Sequence, residues 1–346
     1  MIATFIYPST GNVTGGEAVL YEFANALSRR GVEVHFLHGP SWPDRVSSLD
    51  EIPAVCRQAE VVHHLVDSVD DSTTPNSDVV FNSAAPARLG LPIVVVQGHR
   101  MLSEEWEADA FRSPGLKVCV ASWLLRIGAS YGVQPDRMVH VPPGLDHELF
   151  RPHRPLADRS IDVTVLHHPF REKGWSTALA MLEQLRAERP DIQCTVFGRG
   201  VPDTLPEGVD FVDSPDHHRL ATEIYSDTRV FVQTSRNEGF GLTPLEAMAC
   251  GAALVTTDCG GSEDYGLAGR TADVVPVENA PALARAVIAL HDDEPRRLAY
   301  AQAAVAHART FDWDAVGARL EAALAAYVAD PAPFLVEPGP QKPELR

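Results

Sequence analysis

Short apolar runs alternate with helical stretches along most of this 346-residue chain, and this alternation constrains the fold more than any other feature. Examples in the first half are IATFIY (2–7) and PIVVVQ (92–97), and in the second half IDVTVLH (161–167) and AALVTT (252–257). Near-continuous apolar strands are typical of parallel sheets, because crossover helices cover both faces of such a sheet. The pattern therefore predicts an α/β protein with one doubly wound parallel sheet in each half.

The predicted strands form two sets. They are residues 2–7, 32–37, 60–65, 92–97, 117–121 and 137–141 in the first set, and 161–167, 193–198, 209–212, 229–233, 252–257 and 272–276 in the second. Prolines and a glycine interrupt the pattern in VPPGLDHELFRP (141–152), where we place the hinge. We therefore predict an N-terminal domain over 1–152, a second domain over 153–312 and a loosely held proline-rich tail over 331–346.

Charge and composition exclude several kinds of partner. The formal net charge is −18, which argues against nucleic acid, and no cluster of lysine and arginine would hold an anionic membrane surface. No apolar run has the length of a membrane span, and the N-terminus enters a strand without a basic leader, so we expect a cytoplasmic protein. The five cysteines have no spacing that suggests a metal site or a disulfide framework.

The stretch NEGFGLTPLEAMACG (237–251) contains the clearest candidate site. Gly239 and Gly241 remove side chains where a loop meets a predicted helix, so backbone N–H groups can close on an anion at the positive end of the helix dipole. A diphosphate would fit such an anion-binding site. Thr243 is the predicted N-cap of this helix, which we place at 245–250.

Two acids flank this predicted anion-binding site, with seven residues between them. Glu238 lies in the loop, where it can face the sugar end of a ligand, and its position suggests no structural role. Glu246 lies in the first helical turn, where a carboxylate can bind vicinal ribose hydroxyls bidentately. The alternative for Glu246 is structural, because Thr243-x-x-Glu246 is also a capping box.

This segment resembles the signature of the retaining GT-B glycosyltransferases of family four, the glycosyltransferase group 1 proteins. Their pattern is Glu, seven residues and Glu, with Gly-Phe-Gly after the first acid. The resemblance implies that Glu246 binds the donor ribose and that Glu238 lies against the donor sugar. The residues implied to offer further contacts to the sugar and the diphosphate are Gly239, Phe240, Gly241, Leu242 and Thr243.

The resemblance also implies the GT-B fold, with two Rossmann-like domains facing a cleft. In such folds the final helix crosses back to the first domain. The candidate here is FDWDAVGARLEAALAAYVA, which predicts a helix over about 313–329.

The glycine-rich turn STGNVTGGEA (9–18) follows the first predicted strand. It lacks the Gly-x-Gly-x-x-Gly of a dinucleotide fingerprint, and Glu17 stands where a P-loop needs lysine. In the resembled family a Gly-Gly pair, here Gly15 and Gly16, lies near the donor phosphate and the acceptor. The alternative is an ordinary helix entry with Thr14-x-x-Glu17 as a capping box.

A diphosphate leaving group needs a balancing cation, and no Asp-x-Asp motif stands in a context that suggests a metal, so we predict a metal-independent site. The loop HHPFREKGW (167–175) resembles the family loop that directs an arginine and a Lys-Gly pair at the phosphates. Lys173 matches the lysine, but His168 occupies the arginine position. Either Arg171 reaches the phosphates from a shifted position, or His168 makes a weaker, protonation-dependent contact; a surface role for Arg171 is the alternative.

Three further candidate residues lie at the end of a predicted strand or just after it. Gly198 and Arg199 match a glycine-rich family loop near the nucleotide. His99 lies two residues beyond the strand at 92–97, and relatives often place a histidine near this point against the donor sugar or the reacting centre. The alternative for His99 is a structural histidine at a strand end.

The sequence thus predicts a retaining hexosyltransferase-type enzyme that moves a sugar from a nucleoside diphosphate sugar to a hydroxyl of a soluble small molecule or glycan precursor. Glu238, Lys173 and His99 are the predicted catalytic residues. We expect no cofactor beyond the donor, for which UDP is the expected nucleotide and dTDP and GDP are alternatives. Two other functions remain: a GT-B sugar-nucleotide epimerase, and a nucleotide-sugar-binding protein without turnover.

Overall fold

The computed structural model describes residues 1–7, 14–39, 48–52, 60–67, 75–81, 89–99 and 104–335. The chain divides into two compact units. Unit 1 comprises Met1–Gly144 and Trp313–Arg346, and unit 2 comprises Leu145–Asp312. Residues 9–13 of the glycine-rich turn and most of the predicted tail lie outside the described residues.

Unit 1 is built on a parallel sheet. Its strands are β1 (Ile2–Tyr7), β2 (Glu33–His38), β3 (Val61–Leu65), β4 (Val79–Phe81), β5 (Leu91–Val96), β6 (Leu116–Cys119) and β7 (Met138–His140). The spatial order is β3-β2-β1-β4-β5-β6-β7, with every neighbouring pair parallel. The described helices of this unit are α1 (Gly15–Arg29), α2 (Glu104–Arg112), α3 (Ser122–Ser130) and α9 (Trp313–Ala329).

Helix α9 packs against α1, so the end of the chain completes unit 1. The ring of Trp313 meets Phe23 of α1 edge-on, with centroids 6.2 Å apart. Beyond α9, the carbonyl oxygen of Phe334 accepts hydrogen bonds from Arg137 Nη2 at 2.7 Å and from Gly115 N at 2.8 Å. These contacts fix the segment after α9 next to β6 and β7.

Unit 2 has the same architecture. Its strands are β8 (Ile161–His167), β9 (Cys194–Gly198), β10 (Val209–Asp213), β11 (Thr228–Gln233), β12 (Ala253–Thr257) and β13 (Ala272–Val275). The order is β10-β9-β8-β11-β12-β13, again with parallel neighbours. The helices are α4 (Trp175–Glu188), α5 (His217–Arg219, continued by a π-helical turn), α6 (Leu242–Ala249), α7 (Ala280–Asp292) and α8 (Glu294–Ala308).

The predicted fold class, α/β with two doubly wound parallel sheets, is confirmed. One strand was missed: β4 is only three residues long, so its apolar run Val79–Phe81 is too brief to show a period. In the described part of the chain no helix combines the length and apolarity that a membrane crossing requires. Cys119, Cys194, Cys250 and Cys259 are buried and unbridged.

Candidate functional site

The strand order of unit 2 reverses between β8 and β11. In open parallel sheets, the loops that leave such neighbouring strands run to opposite faces, and the crevice between their carboxyl ends is the usual ligand site. A pocket lies at this position. Its lining residues are Leu166, Lys173, Phe231, Val232, Gln233, Thr234, Ser235, Glu238, Gly241, Thr243 and Pro244.

Gly174 allows the loop after β8 to close on the end of β11. Its φ is +70°, and a Cβ atom there would lie 2.0 Å from the carbonyl oxygen of Thr234. Only glycine tolerates both the left-handed backbone and this close approach. The preceding residue is thereby held at the pocket, where Lys173 Nζ lies 2.7 Å from Glu238 Oε1.

Glu238 has structural partners that its sequence context did not suggest. It is 5% exposed, and the Ser235 hydroxyl donates to the same Oε1 at 2.8 Å. Its backbone N–H donates to the carbonyl oxygen of Cys259, and its carbonyl oxygen accepts from Gly261 N. The expectation that Glu238 lacks a structural role was therefore wrong: it pairs with Lys173 and joins the loops that follow β11 and β12.

The capping box that was the structural alternative for Glu246 does not form at the start of α6. The helix begins at Leu242, with Gly241 as the N-cap residue at φ +101° and no side-chain cap. Thr243 lies inside the first turn, because the left-handed glycine starts the helix earlier than the sequence suggested. The carboxylate of Glu246 instead accepts from the Tyr225 hydroxyl at 3.4 Å.

The surroundings of the Glu246 side chain disfavour its ionised form. Burial raises its pKa to about 7, and the hydrogen bond from Tyr225 only partly offsets this shift. The side chain is half-buried rather than enclosed. A ligand with hydroxyl donors would stabilise the ionised form here.

In the Gly-Phe-Gly segment (239–241), Gly241 allows the backbone turn and Phe240 packs into the core. A Cβ atom on Gly241 would lie 2.4 Å from the Tyr265 hydroxyl, so this position needs glycine. The Phe240 side chain is buried edge-on against Tyr265 and Phe311, with centroids 5.5 and 5.6 Å away. Its ring therefore anchors the loop in the core, while Gly241 and Thr243 line the pocket.

His168 is positioned as a neutral donor. Its Nδ1 accepts from Phe170 N at 3.0 Å, which leaves the proton of the neutral ring on Nε2. Burial, reinforced by the positive charge of Lys173, lowers the pKa of His168 below its ordinary value. The Nε2–H group of the neutral His168 ring can therefore serve as a hydrogen-bond donor.

The two arginine candidates, Arg171 and Arg199, are exposed and are not among the residues that line the pocket. The Arg171 side chain is 79% exposed, and its ion-pair partner is Glu172 at 3.7 Å. Arg199 is exposed at the end of β9. The preceding Gly198 permits close strand packing, since a Cβ atom there would lie 2.2 Å from the carbonyl oxygen of His167.

The candidates of unit 1 have well-defined surroundings. Gly15 and Gly16 are the first residues of α1, which Thr14 caps through a 3.3 Å hydrogen bond from Glu17 N, as the helix-entry alternative predicts. The carbonyl oxygen of Gly16 accepts from Gln97 Nε2 at 2.9 Å.

His99 is 2% exposed, with its Nδ1 3.2 Å from Glu107 Oε2. The rings of Phe111, Trp123 and Tyr131 surround it. This burial favours the structural alternative for His99.

Four polar residues of this site were not predicted from the sequence, and one of them is Thr234 in the pocket lining. Gln233 and Ser235 line the pocket, and Tyr225 contacts Glu246. The sequence pattern that could have indicated Gln233 is a polar residue at the end of an apolar strand, as in RVFVQTS. Among the described residues, no group of three or more histidine, cysteine, aspartate or glutamate side chains is arranged to hold a metal ion.

Comparison with known proteins agrees with this geometry. Residues 146–307 match the model of the family described as glycosyl transferases group 1. The recognition from the motif is confirmed, and this segment is a group 1 glycosyltransferase domain.

Two curated relatives illustrate the similarity. A phosphatidyl-myo-inositol mannosyltransferase of Mycolicibacterium smegmatis is 30% identical over 157 residues, which is 43% of this chain and 40% of that protein. A D-inositol 3-phosphate glycosyltransferase of an Arthrobacter species is 32% identical over 209 residues, covering 54% of this chain and 50% of that protein. The chain thus spans about half the length of the curated relatives it matches.

Solved structures show the same fold over almost the whole chain. The Anabaena protein Alr3699/HepE, in complex with UDP, has a TM-score of 0.75 at 15% identity and covers 94% of this chain and 100% of its own. A sucrose-phosphate synthase from Thermosynechococcus elongatus has a TM-score of 0.68 at 18% identity and covers 95% and 99%. These likenesses are in fold, and the predicted GT-B fold is confirmed.

Proposed function

We propose that this protein transfers a sugar from a nucleoside diphosphate sugar to a hydroxyl group, with retention at the anomeric carbon and without a metal ion. The observation that carries the proposal is the pocket at the β8–β11 switch point, where Lys173, Glu238 and the start of α6 meet around one crevice. Glu246 lies further along the same helix, α6. A cation and a helix N-terminus stabilise a departing diphosphate, and a carboxylate suits the ribose diol.

Each group then has a role along the donor. Lys173 and the N–H groups at the start of α6 bind the diphosphate, and His168 adds a neutral donor. Glu246 accepts from the ribose hydroxyls, and Glu238 lies towards the sugar. Since Lys173 and Ser235 already hold Glu238, it is poorly suited to act as a nucleophile. We therefore favour same-face transfer, in which the C1–oxygen bond to the diphosphate breaks as the acceptor oxygen bonds to C1.

In that step the acceptor proton passes to the departing diphosphate, which balances the charge without a protein base. The ion pair of Glu238 with Lys173 supports this route, because Lys173 and the Ser235 hydroxyl already occupy the Oε1 atom that would otherwise accept the proton. No cofactor other than the donor is part of the proposal.

UDP is the proposed nucleotide, with dTDP and GDP as alternatives, and the similar HepE structure is a complex with UDP. Both curated relatives are named for inositol-containing compounds. We therefore propose a small hydroxylated acceptor and place inositol phosphates first among those to test.

The test has two stages. A thermal-shift titration with UDP, GDP, ADP and dTDP should show stabilisation by one nucleotide in preference to the others. The matching α-linked sugar nucleotide is then supplied with D-inositol 3-phosphate and other polyols, and the product is analysed by proton NMR. An α-linked product supports the proposal, whereas a β-linked product contradicts retention, and failure to bind any nucleoside diphosphate contradicts the site itself.

A further inference from the structure

Gln233 closes β11 at the switch point, and its amide has a fixed orientation. Its Oε1 accepts from the Thr256 hydroxyl at 2.9 Å and from the Tyr265 hydroxyl at 3.0 Å. An amide oxygen offers two lone pairs, so these two donors use its accepting capacity. The amide nitrogen is therefore directed away from Thr256 and Tyr265.

That nitrogen is buried and has no partner among the described residues. Gln233 is 6% exposed, and its Nε2 atom makes no hydrogen bond within the described part of the chain. Leaving a buried donor unpaired costs about 1–3 kcal/mol, and buried polar groups in native proteins are overwhelmingly paired. An unpaired N–H in a pocket thus indicates an acceptor supplied by a ligand.

The space in front of this nitrogen is kept open by the missing side chain of Gly241. A Cβ atom on Gly241 would lie 3.2 Å from Gln233 Nε2, and both residues line the pocket together with Lys173 and Glu238. The glycine therefore serves the backbone turn before α6 and also leaves room for a ligand atom beside the amide.

From this geometry we infer that Gln233 is a donor-binding residue, whose amide N–H donates to an oxygen atom of the nucleotide sugar. Thr256 and Tyr265 are its positioning residues, because their hydroxyl groups orient the amide. The oxygen belongs either to the diphosphate or to the sugar, since both present acceptors. The inference rests on the proposed function, because it assumes that the pocket holds a nucleotide sugar.

The test uses the variant Gln233→Glu in the full chain. Glutamate keeps an oxygen to accept from Thr256 and Tyr265 but replaces the N–H donor with a second oxygen, so the group facing the pocket is the main change. The matched control is Gln193→Glu, which makes the same chemical change at an exposed site just before β9, at the amino ends of the strands, whereas the pocket lies at their carboxyl ends.

Isothermal titration with UDP and with UDP-glucose measures the effect. We expect Gln233→Glu to weaken binding by at least about tenfold, as loss of a hydrogen bond to a charged or polar oxygen does, with the control unchanged. Equal losses for both ligands assign the oxygen to the diphosphate, and a loss confined to UDP-glucose assigns it to the sugar. The melting temperature without ligand measures separately what the added buried carboxylate costs in stability.

Gln233→Met, which carries no charge, is titrated in parallel, so that a folding defect in Gln233→Glu does not decide the result. A wild type that binds both ligands while each folded variant binds them equally well overturns this inference alone. A wild type that binds neither ligand overturns the proposed function and this inference with it. A tenfold loss in either folded variant supports the inference.

Discussion

At the residue scale, the two acids of the signature lie in different electrostatic surroundings. Glu238 has a cation at 2.7 Å and a hydroxyl donor at 2.8 Å on the same oxygen. Glu246 receives a 3.4 Å hydrogen bond from Tyr225, and burial raises its pKa to about 7. A group that costs stability in the unliganded protein but suits a ligand is common at binding sites.

We expect Glu246→Gln to stabilise the protein at pH 8 while weakening binding of UDP. In the unfolded chain Glu246 ionises near pH 4.5, but in the folded protein only near 7, so its ionisation destabilises the fold progressively as pH rises between these values. The variant lacks this cost, on the order of 1–3 kcal/mol at pH 8. Thermal unfolding from pH 4 to 8 measures the difference, which should vanish at the acid end; a variant less stable than the wild type at pH 8 contradicts the assignment.

A second residue-scale prediction concerns the Lys173–Glu238 ion pair. Lys173→Met should lower turnover by at least about a hundredfold, because the diphosphate loses its cation. The same change leaves the buried Glu238 carboxylate without its counter-ion, so we also expect a loss of stability of about 1–3 kcal/mol.

The double variant Lys173→Met, Glu238→Gln separates the two effects. Neutralising both partners removes the unpaired charge, so stability should recover while turnover stays low. Turnover is measured by release of UDP and stability by urea unfolding. Recovery of turnover in the double variant would mean that Lys173 acts only by pairing with Glu238.

At the scale of elements, the site depends on how closely the loop after β8 approaches the end of β11. We predict that Gly174→Ala greatly reduces turnover, because its Cβ would lie 2.0 Å from the Thr234 carbonyl oxygen and would displace Lys173. The matched control is Gly269→Ala, at φ +71° with no atom within 4 Å of the added carbon. This variant should lose about 1–2 kcal/mol of stability, the cost of a left-handed backbone at a residue other than glycine, and it should retain turnover. Equal loss of turnover in both variants would contradict the argument.

The elements themselves follow from the sequence to different degrees. Strands such as β8 are predictable because seven apolar-rich residues make a clear run, whereas the three residues of β4 do not. The start of α6 was misplaced because Gly241 adopts a left-handed conformation, which local propensity for Thr243 as a cap does not reveal.

Pairings within the site are harder to predict. Lys173 and Glu238 are 65 residues apart in sequence and meet only because β8 and β11 are neighbours in the sheet. The motif identified each residue singly, but their contact depends on strand order. The same holds for Gln233, whose oriented amide requires partners on β12 and beyond.

At the scale of the whole molecule, unit 2 is an insertion in unit 1. The chain leaves unit 1 at Gly144 and returns to it at Trp313, and the ends of unit 2 are hydrogen-bonded to each other, with Leu145 N donating to the Phe311 carbonyl oxygen at 2.9 Å. Unit 2 has its own buried core, whose members include residues of β8, β11 and α7. Paired termini and a separate core are properties of a domain that folds alone.

We therefore predict that residues 145–312, expressed alone, fold and bind UDP. The pocket residues Lys173, Gln233 and Glu238 lie in this fragment, as does Glu246 of α6, so its dissociation constant should stay within about tenfold of that of the full chain, a difference of ~1.4 kcal/mol. Transfer to an acceptor should be absent, because Gly15, Gly16 and the rest of unit 1 are missing. Circular dichroism establishes folding, and titration with UDP measures binding, with the Glu246→Gln fragment as the matched control. A folded fragment that does not bind UDP while the full chain does would show that unit 1 supplies part of the nucleotide site.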